Sequence, residues 1–412
     1  MNKLRCIIIV NDYGYVEGGA SNVAIETAIA LSKYTQYKIY YLCAVGPICK
    51  ELKDSNIEKC LYISETDCMH MKNHIHGVIF GLYNISFEKT LTDFLSKFNN
   101  IETLVHVHTW TKACSSVIFK VTAEKKFHTI VTLHDYFMSC PNGGFYNYKK
   151  QKICRKVPLS FKCITSNCDS RNYAFKLYRI LRSIIQINNI ESNYLHLIYI
   201  SQFSKKKLKP YIESEKQIDS YFLHDPVSFP NWRNRVEAEK NTIFLYVGRL
   251  SEEKGIKLFC DAISKLNLKG CVIGDGNLLS DLKQKYPNIQ FLGWMNHSNI
   301  EDYFKITRCL IFPSQWYETL GLTVLEANAV GLPCIVPDEN ASSDNIKDGI
   351  NGLIFHTGSI NSLINTIKKT LDNGLISSMS KESFNNFDKK KWNIETYTRK
   401  LVNIYKSIIN HI

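Results

Sequence analysis

The chain of 412 residues is defined first by what it lacks. No apolar run approaches the ~20 residues that a membrane-spanning helix needs. The first apolar stretch starts at Cys6 and stops at Asn11. With no small-residue cleavage site behind it, it reads as a first β-strand, not a signal peptide, and a cytoplasmic location is expected. There is no GxGxxG and no GxxxxGK[ST], which removes the dinucleotide and P-loop fingerprints. No CxxC pair occurs, so the common paired-cysteine zinc patterns are absent. No DxD-type carboxylate cluster stands near an expected strand end, and there is no low-complexity tract or short tandem repeat. Acidic residues are the scarcer charge, 38 against 51 Lys and Arg, for a net charge of +13. That balance suits acidic partners such as nucleotides, phosphoglycans, nucleic acid or an anionic membrane surface, with a merely solvated basic surface as the alternative.

What is present describes a folded enzyme-sized protein. A hydrophobic content of 45% with 22% charge excludes a disordered chain, and the length predicts two domains. Strands expected at 4–10, 38–44, 103–108, 129–133 and 197–201 alternate with helices. A second series follows at 242–247, 270–273, 289–292, 309–312 and 333–337. Such alternation predicts an α/β architecture with two doubly wound parallel sheets. Between the series, HDPVSFPNWRNRVEAEKN holds Pro226 and Pro230 and loses apolar periodicity. The expected division is 1–223, a linker at 224–241, 242–385, and a terminal helix over 386–412.

Ligands of such sheets bind at the carboxyl ends of strands. After the first strand comes GYVEGGASN and an amphipathic helix, a Gly loop at a helix N-terminus where phosphate can sit. VHVHTW brings His106, His108 and Trp110 to one strand end, and TLHDYF brings His134 and Asp135 to the next. His134 is the better functional candidate, because it stands just past its strand. GRLSEEKG places Arg249 and Lys254 at a strand-to-helix turn between Gly248 and Gly255, a possible clamp for a diphosphate. In GDGNLL, Gly274 and Gly276 would let backbone approach a flat ligand such as a base.

The stretch SQWYETLGLTVLEANAVG carries Glu318 and Glu326. Were it all helical, eight steps would separate them by up to about 12 Å. A glycosidase acid–base pair needs roughly 5–9.5 Å. The wider spacing suits two carboxylates that each grip hydroxyls. Leu320, Gly321 and Leu322 lie at the expected helix N-terminus, where backbone N–H groups can hold phosphate.

Two further segments stand out. Cys140, Cys154, Cys163 and Cys168 fall in one loop-like segment. Four thiolates can close a structural zinc site, leaving no open position for catalysis; reduced buried thiols or a redox-labile pair are the alternatives. Residues 171–187 predict a basic amphipathic helix in which Lys176, Arg179 and Arg182 flank an apolar side of Phe175, Leu177, Tyr178, Leu181, Ile184 and Ile185. With SKKKLKPY further on, it makes the first half the one expected to face an anionic membrane, at the inner face of the cytoplasmic membrane; an ordinary core helix is the alternative.

GGASN, HTW, TLHDY, GRLSEEKG, GDG, FLGW and ETLGLTVLEANAVGLPCI, in this order, resemble family-four retaining glycosyltransferases of the GT-B fold. HDYFMSCPNGGFYNYKKQKIC is similar to bacterial members that build capsule or O-antigen polysaccharide. The resemblance implies a first domain that binds acceptor and a second that binds a UDP- or GDP-sugar, with the terminal helix packing back on the first. It implies that Glu318 contacts donor-sugar hydroxyls and Glu326 the ribose. Arg249 and Lys254 would neutralise the diphosphate beside Gly248, with the backbone of Leu320, Gly321 and Leu322. Gly19 would approach the phosphates, and His134 would lie beside the transferred sugar. It implies a glycan or lipid-linked acceptor, no catalytic metal and no nucleic-acid partner. Tyr317, Trp316 and Gln315 depart from the general pattern, so the sugar does not transfer with the family. A glycan phosphorylase would call for a pyridoxal-phosphate lysine and a much longer chain. A basic glycan- or nucleic-acid-binding protein without transferase activity is the remaining alternative.

Overall fold

The computed structural model describes residues 3–213, 218–229, 232 and 234–410. Pro230, Asn231 and Arg233 of the expected linker and the last two residues of the terminal segment lie outside these. Among the described residues the first half builds a seven-stranded sheet. It contains β1 (Cys6–Tyr13), β2 (Lys38–Val45), β3 (Lys59–Leu61), β4 (Thr103–Val107) and β5 (Thr129–Leu133). A short antiparallel pair, β6 (Tyr146–Asn147) and β7 (Lys152–Ile153), stands apart from it. β8 (Leu195–Tyr199) and β9 (Asp219–Phe222) complete the sheet. The order is β3-β2-β1-β4-β5-β8-β9, parallel throughout.

The second half forms a six-stranded parallel sheet. Its strands are β10 (Ile243–Val247), β11 (Lys269–Ile273), β12 (Ile289–Gly293), β13 (Thr307–Ile311), β14 (Cys334–Pro337) and β15 (Gly352–Phe355), in the order β12-β11-β10-β13-β14-β15. In each sheet the strand order reverses beside its first strand, at β1/β4 and at β10/β13. Those reversals open a crevice at the carboxyl ends of the strands, where doubly wound folds bind ligands.

Helices cover both faces, so the strands are apolar throughout. Ile7, Ile8, Ile9 and Val10 have no exposed surface. The terminal helix Ile394–Asn410 packs on helix Gly19–Tyr34, and Tyr397, Leu401, Tyr405 and Ile408 join the core beneath Ile7 and Ile9. Burying an aliphatic side chain of this size contributes about 1.5–3 kcal/mol, so the chain's last segment helps hold its first sheet. Trp392 ties the crossover as well, its carbonyl accepting from Val227 N–H at 2.9 Å.

Three short strands, β3, β9 and β15, lie at sheet edges or ends and were not expected from the alternation. The helix expected from Leu320 starts at Leu322 and ends at Ala329. Gly321, at φ +83, is its N-terminal boundary, so Glu318 sits in the turn before the helix and not on it. Among the described residues no helix is long and apolar enough to cross a membrane.

Candidate active site

A cavity of about 290 Å³ lies between the two halves. Gly19, His134, Gly248, Lys254, Glu318 and the run Leu320–Leu322 all line it. Six loops from two sheets meet here because both strand reversals face the same crevice. Gly19 opens its helix without a side-chain cap on Gly18, and Leu322 opens its helix without a cap on Gly321. First-turn N–H groups have no partner within a helix, so two positive helix ends converge on one space. A Cβ on Gly19 would stand 3.7 Å from Leu322 Cδ1, which shows how closely the two halves approach.

The charged centre is a pair. Lys254 Nζ donates to Glu318 Oε1 at 2.6 Å, and Ser314 Oγ donates to the same oxygen at 2.8 Å. Burial pushes the Glu318 carboxyl up. The Lys254 charge and hydrogen bond, with Trp316 and Ser314, outweigh that and hold it below the usual carboxylate range. Lys254 also lies over the Trp316 ring at 4.9 Å, a cation–π contact. Trp316 is in turn held by Gly144 of the first half, where any Cβ would strike its ring.

His134 is bound at both ring nitrogens. Nδ1 is 3.1 Å from Asp225 Oδ2 and Nε2 is 2.9 Å from His108 Nδ1. Burial, with the neighbouring histidines, pushes His108 well below its ordinary value, so it is neutral. Since an ionised carboxylate only accepts, His134 donates from Nδ1 to Asp225, and the hydrogen bond with His108 occupies Nε2. What it offers the cavity is its ring edge. Its backbone carbonyl accepts from Thr319 Oγ1 at 2.9 Å, joining the halves beside Glu318. His106 lies deeper, between Tyr405 Oη at 2.6 Å and Thr132 Oγ1 at 2.7 Å. Trp110 is buried and donates to Gln186 at 2.9 Å. Both are packing groups here.

Asp225 was not singled out from the sequence. It lines the cavity, its side chain is 6% exposed, and its Oδ1 has no hydrogen-bond partner among the described residues. The one available signal was a second His-Asp pair, at 224–225, which reads as linker because Pro226 follows it.

Other expected residues stand outside the cavity lining. The Arg249 side chain is 59% exposed, and Nη2 reaches Glu253 Oε1 at 2.7 Å, so the carboxylate four residues on draws it away. Glu326 is half-buried, about one turn inside the Leu322–Ala329 helix. Gly274 and Gly276, at φ +141 and +159, pack against the protein's own backbone. A Cβ on Gly274 would overlap the Gly248 carbonyl, and one on Gly276 would stand 2.5 Å from that of Leu250. Their lack of a side chain is needed to seat the GRL loop.

The expected zinc ligands are not arranged for a metal. Among the described residues no group of three His, Cys, Asp or Glu side chains is placed to hold one. Cys140, Cys154, Cys163 and Cys168 are all free. The buried Lys176 amine stands among them instead, 3.5 Å from Cys163 Sγ, and an ammonium there opposes a dication.

Comparison with known proteins agrees with this architecture. Residues 228–391 match the family model Glycosyl transferases group 1. An Escherichia coli UDP-Gal:alpha-D-GlcNAc-diphosphoundecaprenol alpha-1,3-galactosyltransferase is 32% identical over 157 residues, 35% of this chain and 40% of that enzyme. The match thus spans under half of that relative. An uncharacterized 41.2 kDa protein from the cps region of Klebsiella pneumoniae is 26% identical over 306 residues, 71% of this chain and 82% of that one. Among solved structures, Anabaena Alr3699/HepE in complex with UDP and glucose superposes with a TM-score of 0.66 at 14% identity, covering 98% of this chain and all of the other (100%). The two doubly wound sheets facing across a cleft are the GT-B fold, and residues 228–391 are similar to the glycosyl transferases group 1 domain.

Proposed function

We propose that the protein is a retaining glycosyltransferase that moves a hexosyl group from a UDP- or GDP-sugar to a glycan or lipid-linked acceptor in surface-polysaccharide synthesis. The observation that carries this reading is the meeting of Lys254, Glu318 and two uncapped helix N-termini around one cavity. A diphosphate is the ligand that this charge pattern suits. It would lie on the N–H groups at 320–322 and draw Lys254 toward it. Glu318, released in part from Lys254, would then accept from hydroxyls of the sugar. The names of the relatives support the donor and acceptor classes: the Escherichia coli enzyme's name specifies UDP-Gal and a diphosphoundecaprenol acceptor.

The chemistry follows from positioning. With both nitrogens of His134 engaged, no free imidazole lone pair is available as base. The leaving phosphate would itself take the acceptor proton on the face from which it departs. The lysine and the helix ends would stabilise the charge that develops on it. Two domains are proposed, 1–223 for acceptor and 242–385 for donor, joined at 224–241, with 386–412 returning to the first. A cytoplasmic location belongs to the same proposal.

A screen of nucleotide sugars by calorimetry and donor hydrolysis tests it. One UDP- or GDP-sugar is expected to bind and to be hydrolysed slowly without acceptor, and Lys254→Ala is expected to weaken that binding. If no nucleotide sugar binds, the reading fails.

A further inference from the structure

The Tyr173–Asn189 helix is turned inside out. Its buried residues are Lys176, Ile180, Ser183 and Gln186, and the three polar ones have partners. Lys176 reaches Cys163, Ser183 donates to the Arg179 carbonyl, and Gln186 takes the Trp110 N–H while donating to the Phe137 carbonyl. The apolar stripe faces out. Tyr173, Leu177, Leu181 and Ile184 are 37, 45, 47 and 44% exposed, and their three- and four-residue steps line them up on one face. Helix His74–Leu82 packs alongside, so close at Gly81 that a Cβ would strike the Tyr178 hydroxyl. It adds Val78 and Ile79, 45 and 53% exposed. Between the helices lies a groove of about 460 Å³ bounded by Met69, Val78, Phe175 and Arg171.

The surrounding charge selects the occupant. Residues 149–190 contain ten Lys and Arg and one acid, Asp169; of the ten, Lys176 is buried and Arg182 donates to the Thr111 carbonyl. Asp169 is buried against Arg179 at 2.9 Å. Lys72, Lys162 and Arg171 are exposed, and Arg171 lies over the Phe175 ring at 4.6 Å. A continuous apolar stripe on a surface marks a binding face. Combined with the exposed Lys72, Lys162 and Arg171 it fits an interface that is anionic outside and hydrocarbon within. We infer that this face docks on an anionic lipid bilayer, with Leu177, Leu181, Val78 and Ile79 entering the acyl boundary and the basic residues resting on headgroups. This goes beyond the transferase reading and is tested without donor or turnover.

The test is co-sedimentation with vesicles of phosphatidylglycerol and phosphatidylcholine, and of phosphatidylcholine alone. The protein is expected to bind the anionic vesicles and to dissociate as salt rises. The Leu177→Glu/Leu181→Glu variant should lower the bound fraction about tenfold, with an unchanged thermal transition. Val78→Glu/Ile79→Glu, on the other helix, should do the same and serves if the first variant does not fold. Equal binding by either folded variant, or equal binding to neutral vesicles, overturns the inference. So does a dimer in solution that these substitutions dissolve, since a second copy would then be the occupant.

Discussion

Substituting Glu318→Gln separates the two tasks assigned to the cavity. The amide keeps the carboxylate's shape and can still accept from Ser314, 2.8 Å away, but the charge is gone. In the free protein that charge holds Lys254 Nζ at 2.6 Å, so Glu318 competes with an incoming diphosphate for the same ammonium. Two terms therefore oppose. A charge-assisted hydrogen bond from a sugar hydroxyl is worth about 1.5–3 kcal/mol, roughly ten- to a hundredfold in affinity at 1.4 kcal/mol per decade. The variant should lose that much for the nucleotide sugar. For the bare nucleoside diphosphate it should lose nothing and gain modestly, because Lys254 is freed. Isothermal titration with both ligands, on wild type and variant, reads the difference directly. The reasoning is refuted if the sugar-dependent increment survives. It is refuted equally if the bare nucleotide weakens more than about tenfold while the thermal transition is unchanged.

Four further outcomes follow. Asp225→Ala should lower kcat by about tenfold or more while leaving nucleoside-diphosphate affinity unchanged, since it frees His134 Nδ1 beside the sugar but touches no phosphate contact; steady-state kinetics with titration calorimetry checks the split. Gly274→Ala should destabilise by about 1–3 kcal/mol, because the new methyl overlaps the Gly248 carbonyl; an unchanged denaturation midpoint would count against the packing described. The Arg235 hydrogen bond and charge pull Glu239 down to about 2 from 4.5, so that pair stabilises the fold above pH 4.5 and its contribution fades as pH falls toward 2. Urea unfolding over that range should therefore show a steeper loss for wild type than for Arg235→Gln. Protein purified without added zinc should carry far less than one metal per chain, as the Lys176 amine among the thiols implies; one equivalent by elemental analysis would contradict that placement.

Much of this protein is written locally. The alternation of apolar runs with Gly and polar turns determined two parallel sheets, because buried parallel strands must be apolar throughout and their crossovers helical. β5 falls where Thr129–Leu133 was expected. The loops bearing His134, Lys254 and Glu318 reach one cavity because the strand order reverses where it does in both sheets. The resemblance carried by GRLSEEKG and the Glu-x7-Glu stretch pointed to the same residues.

Other features are set between distant segments, where sequence neighbours carry no information. Asp225 meets His134 across 91 positions, and it is the strand order β5-β8-β9 in the first sheet that brings their two strand ends together. Arg249 points to Glu253 instead of the cavity because a carboxylate four residues on pairs with its guanidinium. Gly274 is required by the Gly248 carbonyl, a contact between two strand ends. The Tyr173–Asn189 helix shows the limit most clearly. Its amphipathic pattern was legible in the sequence, but a helical period does not say which stripe faces the core. The partners for Lys176 and Gln186 lie in other segments, and once these polar groups are satisfied inside, Leu177, Leu181 and Ile184 face outward.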